Sequence, residues 1–461
     1  MRKINVDILS SIFSDSSTTR TAHEIKHSKT IRIPFSKLLK WHFDANGNLV
    51  HESGKFFTVQ GLSYGQTSGP GRREQLILNQ PETGILGILG KKVNGILHFL
   101  MQFKFEPGNI GEVQLSPTVQ ATKSNYTAVH KGKPVPYLDY FLSDKNTLFD
   151  LPLSEQASRF FKKENRNSIR IYDESEHIEL LPGFQWMTLS QILRFIKEDN
   201  VVNMNARSII SGILLGEEEE KYTLKDAGLL YDSFRKNTPS PHGKDLFISS
   251  LNLDGTYTDA AGFKSWIDEM KTHSEIKAKL KSIKNMAHIN RTDMEFSCGP
   301  DPDFKIIALS IMAEREVGSW TQPVICDSHI RIHGMLAKKI NDILHFLVRG
   351  KEEPGSINGA EIGPTIQGIP LSYLASSPEL FAKYFIAPEK KNIIISSMQS
   401  DEGGRFYRVQ NLHMVVLTTD DIPLQPGFMW ATLRQIKQLV MQPGYVNIEA
   451  RSLISCISYH E

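Results

Sequence analysis

The sequence predicts an α+β fold written twice, and three observations carry that reading. First, short motifs recur at a constant spacing of 247 positions: LHFL at 97–100 and 344–347, EPG at 106–108 and 353–355, Pro117-Thr118-x-Gln120 against Pro364-Thr365-x-Gln367, and Tyr126 against Tyr373. Second, the correspondence continues through Arg159-Phe160 and Arg405-Phe406, PGF at 182–184 and 426–428, Trp186 and Trp430, and Asn203 and Asn447. It ends with Ala206-Arg207-Ser208 and Ala450-Arg451-Ser452. A unit of roughly 200 residues is far longer than a solenoid repeat and long enough to own a core. Third, each unit reads strands first and amphipathic helix last.

Residues 85–89 and 95–105 are apolar runs broken by KKVNG at 91–95, which predicts a hairpin. Alternation along the second run sets Leu97, Phe99, Met101, Phe103 and Phe105 on one face as core. The other face, His98, Leu100, Gln102 and Lys104, is a candidate wall for a polar ligand. Glu106-Pro107-Gly108 then turns the chain. Residues 188–197 and 432–440 have helical periodicity, each behind a threonine suited to cap it. The acidic run at 217–220 reads as a solvated face and TPSPHG at 238–243 as a linker, so the domains are expected at 1–237 and 238–461. Trp266, Ile267, Met270, Ile276, Leu280 and Ile283 predict a helix over 261–283.

Composition bounds the function. Of 461 residues, 40% are hydrophobic and 23% charged, and the formal net charge of +2 gives no case for nucleic acid or a membrane surface as the main partner. The opening residues make a poor signal peptide, and no apolar run approaches the roughly 20 residues a membrane helix needs. Cys298, Cys326 and Cys456 are scattered, with neither metal-ligand nor disulfide spacing, as expected in the cytoplasm.

The segment after EPG can be compared with the Nudix superfamily, in which a strand, a Gly turn and a glutamate-bearing helix hold a divalent metal at a diphosphate. Gly108 leads to Gln114 and Gly355 to Glu361 at the superfamily spacing, but TKSNYT at 122–127 and IPLSYL at 369–374 stand where the acidic cluster belongs. Neither has the paired carboxylates a hard cation requires, so metal-dependent hydrolysis is not expected.

The runs GILGILGKKVNGILHFLMQFKFEPGN, QLSPTVQATKSNYTAVHKG, LSEQASRFFKKENRN and NMNARSIISGIL closely resemble the NDP-hexose 2,3-dehydratases of deoxysugar biosynthesis, and PGFMWATL with VNIEARSLISC resembles that family's second repeat. The resemblance implies two tandem Nudix-like domains from a gene duplication, a homodimer, and no cofactor. It also implies an NDP-4-keto-6-deoxyhexose substrate, typically the dTDP sugar, whose 3,4-diketo product is consumed by a sugar 3-ketoreductase. The 4-keto group acidifies the C3 proton; a base removes it, the C2 hydroxyl leaves, and the enol becomes the 3-ketone. Such a site needs a base, a donor to the enolate oxygen, an acid for the leaving hydroxyl and cations for the diphosphate.

Comparing the copies sorts the candidates. The first keeps more convergent polar groups, so it is the expected catalytic repeat, and the second is expected to hold a degenerate nucleotide-sugar pocket. The catalytic candidates are Tyr126, His130, Lys104, Glu155 and His98; the base stays open among Tyr126, His130, Glu155 and His98, and Lys104 is a candidate to polarise the 4-keto oxygen or neutralise phosphate. Substrate-binding candidates are Gln102, Gln114, Ser116, Thr118, Gln120, Ser124, Asn125, Arg159, Lys162, Asn165, Arg166 and Asn167, with Arg159 and Arg166 assigned to the diphosphate. Trp320, Lys351, Tyr373 and Arg405 are assigned to the second pocket. One departure is Arg73 in the slot where the second copy has Trp320, which puts a stacking contact in the first copy in doubt. Two other readings are a non-catalytic nucleotide-sugar binding protein and a Nudix-type nucleotide-sugar hydrolase.

Overall fold

The computed structural model describes residues 2–15, 17, 28–66, 71–122, 134–216, 220–234, 240–300, 302–313 and 318–459. It mixes helix and sheet, and the duplication is visible strand by strand. Among the described residues each half builds a seven-stranded sheet of the same order. In the first half Thr147–Ser154, Glu164–Tyr172, Ile85–Val93, Ile96–Phe105 and Phe184–Thr188 lie side by side; in the second they are matched by Ile393–Ser400, Gln410–Leu417, Arg331–Ile340, Ile343–Lys351 and Phe428–Ala431. One pair in each is parallel, Glu164–Tyr172 on Ile85–Val93 and Gln410–Leu417 on Arg331–Ile340, and the other pairs are antiparallel.

Local chemistry explains the elements. The hairpin after Ile85–Val93 turns through Asn94 and Gly95, both with positive φ (52° and 76°), which asparagine and glycine tolerate. Helices Leu189–Lys197 and Leu433–Val440 each begin with a capping box, Thr188 with Gln191 and Thr432 with Gln435. The helix expected over 261–283 is shorter. Ala260–Thr272 is helical, capped by Asp259, and Ile276–Lys281 is a strand. Isoleucine, alanine and leucine alternate there with three lysines, a period of two rather than 3.6.

That strand belongs to the wrong half. Ile276–Lys281 pairs with Thr58–Gln66 of the first repeat, and its counterpart Lys29–Ile33 pairs with Lys305–Met312 of the second. The repeats thus exchange their leading strands, and each of two five-stranded sheets is built from both halves.

The turns after the long strands lock the exchange. Gly108 donates its N–H to Gly403 O (2.8 Å) while Arg408 N donates to Gly108 O (2.8 Å); Gly355 N donates to Ala157 O (2.8 Å) while Lys162 N donates to Gly355 O (2.8 Å). Helices Met204–Ser211 and Ile448–Ser455 pack across the same pseudo-twofold. Arg207 Nε donates to Ser452 Oγ (2.8 Å) and Arg451 Nε to Ser208 Oγ (3.1 Å), both arginines fully buried. The largest core draws on both halves, from Phe99 and Ile209 to Phe346 and Leu453. No helix among the described residues is long and apolar enough to cross a membrane.

Candidate active site

The interleaving creates a cavity of about 400 Å³ at the seam, within the range of small-ligand sites. From the first repeat come Lys104, Glu106, Gln120, Glu155, Lys163, Asn165 and Asn205; from the second come Trp320, Gln322, Glu402, Gly404 and Arg405. Trp41, His51, Phe56 and Phe57 add an aromatic wall.

At its polar end Glu106 is buried, ion-paired to Lys104 at 3.9 Å, and its Oε1 accepts from Gln120 Nε2 (2.7 Å). Glu106 Oε2 is buried with no hydrogen-bond partner among the described residues. A buried carboxylate oxygen left unpaired is costly, so it marks a position kept for chemistry or a ligand. Glu402 faces it from the other repeat. A β-carbon on Gly404 would lie 2.3 Å from Glu402 Oε1 and 3.6 Å from Glu106 Oε1, so the two carboxylates approach within about 6 Å. Burial and the facing Glu106 push the Glu402 carboxyl up to about 8. Burial likewise raises Glu155, against the pull of Lys163 and of the Asn165 amide that donates to it. Burial lowers Lys163 to about 8, and its ammonium donates to Glu82 O. Arg405 stands over the Phe57 ring at 4.4 Å, donates Nη1 to Gly404 O (3.0 Å), and keeps a buried Nε with no acceptor among the described residues.

The cavity gathers some of the residues expected from the sequence and leaves others outside. Lys104, Gln120, Glu155 and Asn165 line it. Trp320 and Arg405, assigned above to a second pocket, line this one, because the exchanged sheets and the crossed turns carry them over. Arg73 accordingly stands at the second repeat's site, and the intact Trp320-x-Gln322 serves the cavity, with Gln322 Nε2 on Gly404 O (2.6 Å) and Gln75 Nε2 correspondingly on Ser158 O (2.8 Å).

Arg166 points away from the cavity and grips Asp150 with both Nε (2.6 Å) and Nη2 (2.5 Å), since strand alternation sends Asn165 inward and its neighbour outward. Asn167 accepts from Ser208 Oγ (3.2 Å) and Lys162 is exposed at the surface. Thr118 is structural: it accepts from Leu89 N (2.9 Å) and donates to Leu100 O, as Thr365 does in the second repeat. Ser116 accepts from Asn203 (2.8 Å) and Gln114 donates to Ser400 Oγ (2.8 Å) at the seam. His98 turns Nδ1 onto Ile96 O (2.8 Å), and Gln102 is half-buried outside the cavity; Leu100 between them packs with Phe141 and Phe184, so only Lys104 of that face reaches the site. Ser124, Asn125, Tyr126 and His130 lie outside the described residues.

Sequence spacing alone places Glu106 in a turn, and its recurrence as Glu353 is the signal that marks it. Glu402 stands where the first copy has Gln156, a difference the copy comparison could have exposed.

The matching place in the second repeat is filled by its own charges. Arg331 replaces Gly84, donating Nε to Asp327 Oδ2 (2.7 Å), Nη1 to Gly368 O (2.9 Å) and Nη2 to Asp303 O (2.9 Å). Arg159 joins Asp327 at 3.7 Å over the Phe304 ring (4.6 Å). Lys351 lies half-buried beside Arg349 and Glu353, and Tyr373 is half exposed at 51%.

His333 and His413 are buried there, rings 5.4 Å apart; burial with the neighbouring arginines lowers His333 to about 3, and burial with the facing His333 and Arg207 holds His413 well below its ordinary range. Both stay neutral in the fold, so stability is complete above their ordinary value near 6.5 and falls as the pH drops below it. At pH 5 the loss is roughly 2 kcal/mol for His333 alone, and His413 adds to it in the same direction. Melting curves at pH 7 and pH 5 should show that drop. The double change His333→Leu and His413→Asn, installing the residue types of Leu86 and Asn167, should flatten it.

Fold and site together define a duplicated α+β protein with a cavity lined by residues of both its repeats. The family model for NDP-hexose 2,3-dehydratase matches residues 16–213 and again 260–457, and the chain belongs to that family. It is 37% identical over 439 residues to a dTDP-4-dehydro-6-deoxy-alpha-D-glucopyranose 2,3-dehydratase of Saccharopolyspora spinosa, covering 93% of this chain and 87% of that one. It is 35% identical to an enzyme of the same name from Amycolatopsis orientalis (93% and 86% covered) and 31% identical to one from Streptomyces violaceoruber (95% and 94% covered).

Proposed function

We propose that the protein removes water across C2 and C3 of dTDP-4-keto-6-deoxyglucose, giving the 3,4-diketo-2,6-dideoxy sugar. The observation that carries this is Glu106: a buried carboxylate, held by Lys104 and Gln120, with one oxygen unpaired inside a cavity of nucleotide-sugar scale. In this reading Glu106 takes the C3 proton. Lys104 neutralises charge developing on the 4-keto oxygen, as a positioned cation does for an enolate. The nucleotide lies along Trp41, Phe56, Phe57 and Trp320, and Arg405 holds the diphosphate with its unsatisfied N–H. The C2 hydroxyl leaves as water, and the enol at C3 becomes the ketone. The parallel pair within each mixed sheet supports a Nudix-like origin for both repeats. The diketo product is electrophilic and short-lived, so a sugar 3-ketoreductase is the expected next enzyme, and a homodimer the expected assembly.

Incubation with dTDP-4-keto-6-deoxyglucose, with a 3-ketoreductase and its reductant to trap the product, tests the reading. A C2-deoxygenated sugar is expected; intact substrate returned under conditions where it binds rejects the proposal. Arg405→Ala should weaken dTDP binding roughly 10–100-fold, the loss of one or two charge-assisted bonds. An unchanged calorimetric Kd would remove Arg405 from the phosphate subsite.

A further inference from the structure

We propose that Glu402, supplied by the second repeat, is the general acid that protonates the departing C2 hydroxyl. The inference rests on the dehydratase reading above and assigns the proton that reading leaves unplaced. Elimination from an enolate expels hydroxide unless an acid delivers a proton, and hydroxide is a poor leaving group at neutral pH. The acid must share the cavity with the base without being the same group.

Glu402 meets both conditions. It lines the cavity, and its Oε1 is held by Gly404 N (3.0 Å) and lies within about 6 Å of Glu106 Oε1. Five ionisable groups of the cavity act on it or stand beside it. Glu106 and Lys104 come from the strand and turn at 96–108, Glu155 and Lys163 from the 154–163 segment, and Arg405 from its own loop. Burial, with Glu106 and Glu155 nearby, disfavours a negative charge on Glu402 and keeps its carboxyl protonated. Two carboxyl groups facing each other across one cavity, in different surroundings, are the pattern that divides acid and base roles.

The duplication supplies a control. The residue aligned with Glu402 in the first repeat is Gln156, whose Nε2 contacts Met204 Sδ (3.1 Å) at the seam outside the cavity. Glutamine is therefore sterically acceptable in this loop and cannot donate a carboxylic proton. The proton balance closes through the elimination: Glu106 gains the C3 proton, Glu402 gives its own to the C2 oxygen, and water leaves. Ketonisation then delivers the proton on Glu106 to C2 and returns the enol hydroxyl's proton to Glu402.

Three readouts on Glu402→Gln test this. Turnover of the 2-hydroxy substrate should fall roughly 10²–10⁴-fold, the usual worth of a positioned acid, with the dTDP dissociation constant unchanged. Exchange of the substrate's C3 proton into deuterium oxide, followed by NMR, should continue, because the base is untouched. The 2-deoxy-2-fluoro analogue, whose fluoride leaves without protonation, should lose fluoride at a rate close to that of the unchanged enzyme. A Glu402→Gln enzyme that still dehydrates the natural substrate at full rate overturns the proposal. So does one that loses fluoride release and C3 exchange together with dehydration, since that is the signature of a collapsed site. If the unchanged enzyme itself never dehydrates the sugar, the dehydratase reading fails instead, and the two failures are distinguishable.

Discussion

Glu106→Gln should lower kcat by roughly 10³-fold while dTDP binding changes little, because a positioned general base contributes about 10²–10⁴. Glutamine keeps the volume and can still accept from Gln120 Nε2, so the loss would be chemical rather than structural. It should also abolish C3 proton exchange into deuterium oxide. Full exchange in this variant would move the base to another group, with Glu155 the next carboxylate lining the cavity. The pH profile carries a second signature. Activity that needs Glu402 protonated should persist at neutral pH and fall as the pH rises through its value of about 8.

Gly108→Ala should be the most damaging single change to the fold, costing about 3 kcal/mol or more. A β-carbon there would lie 1.6 Å from Phe406 O and 2.7 Å from Phe406 C, with Gly403 O at 2.8 Å, all backbone atoms that cannot rotate away. To admit it the turn must leave the 403–408 loop, breaking both hydrogen bonds at the crossing and displacing Glu402 and Arg405. Gly355→Ala meets Phe160 O at 2.0 Å and should behave alike, whereas Gly318→Ala meets nothing within 4 Å and is the matched control. Thermal melts of the three variants check this. A Gly108→Ala protein that melts with the control would mean that the crossing is not tight in solution.

Much of each repeat was legible in the sequence because its signals are local. Asn94-Gly95, the threonine-glutamine caps and the two-residue alternation each act over a few positions and appear where expected. The site was only partly legible, for a different reason. A constant offset of 247 tells which strands are equivalent but not which sheet each joins, since Lys29–Ile33 fits either small sheet equally well as a pattern. Trp320, Glu402 and Arg405 therefore reach the cavity that holds Glu106 by a crossing that the spacing does not encode. Arg166 looked like a phosphate ligand because charge was read without facing; its partner Asp150 sits on the adjacent strand, out of reach of sequence spacing. Arg331 shows the converse. It stands at Gly84's position, and only the three-dimensional equivalence reveals that one arginine fills what a glycine leaves open.

The exchanged strands also set a timetable for synthesis. Lys29–Ile33 leaves the ribosome about 275 residues before its partner Lys305–Met312. At roughly 5–20 residues per second, the orphaned strand waits on the order of 15–55 s in the nascent chain, and the first small sheet waits on the order of 10–40 s for its missing edge, Ile276–Lys281. Neither half is a finished folding unit during that interval, and an apolar edge stands open to other polysomes and to holdase chaperones. Expression yield should therefore respond more to translation speed through residues 34–304, between the paired strands, than to codon choice after them.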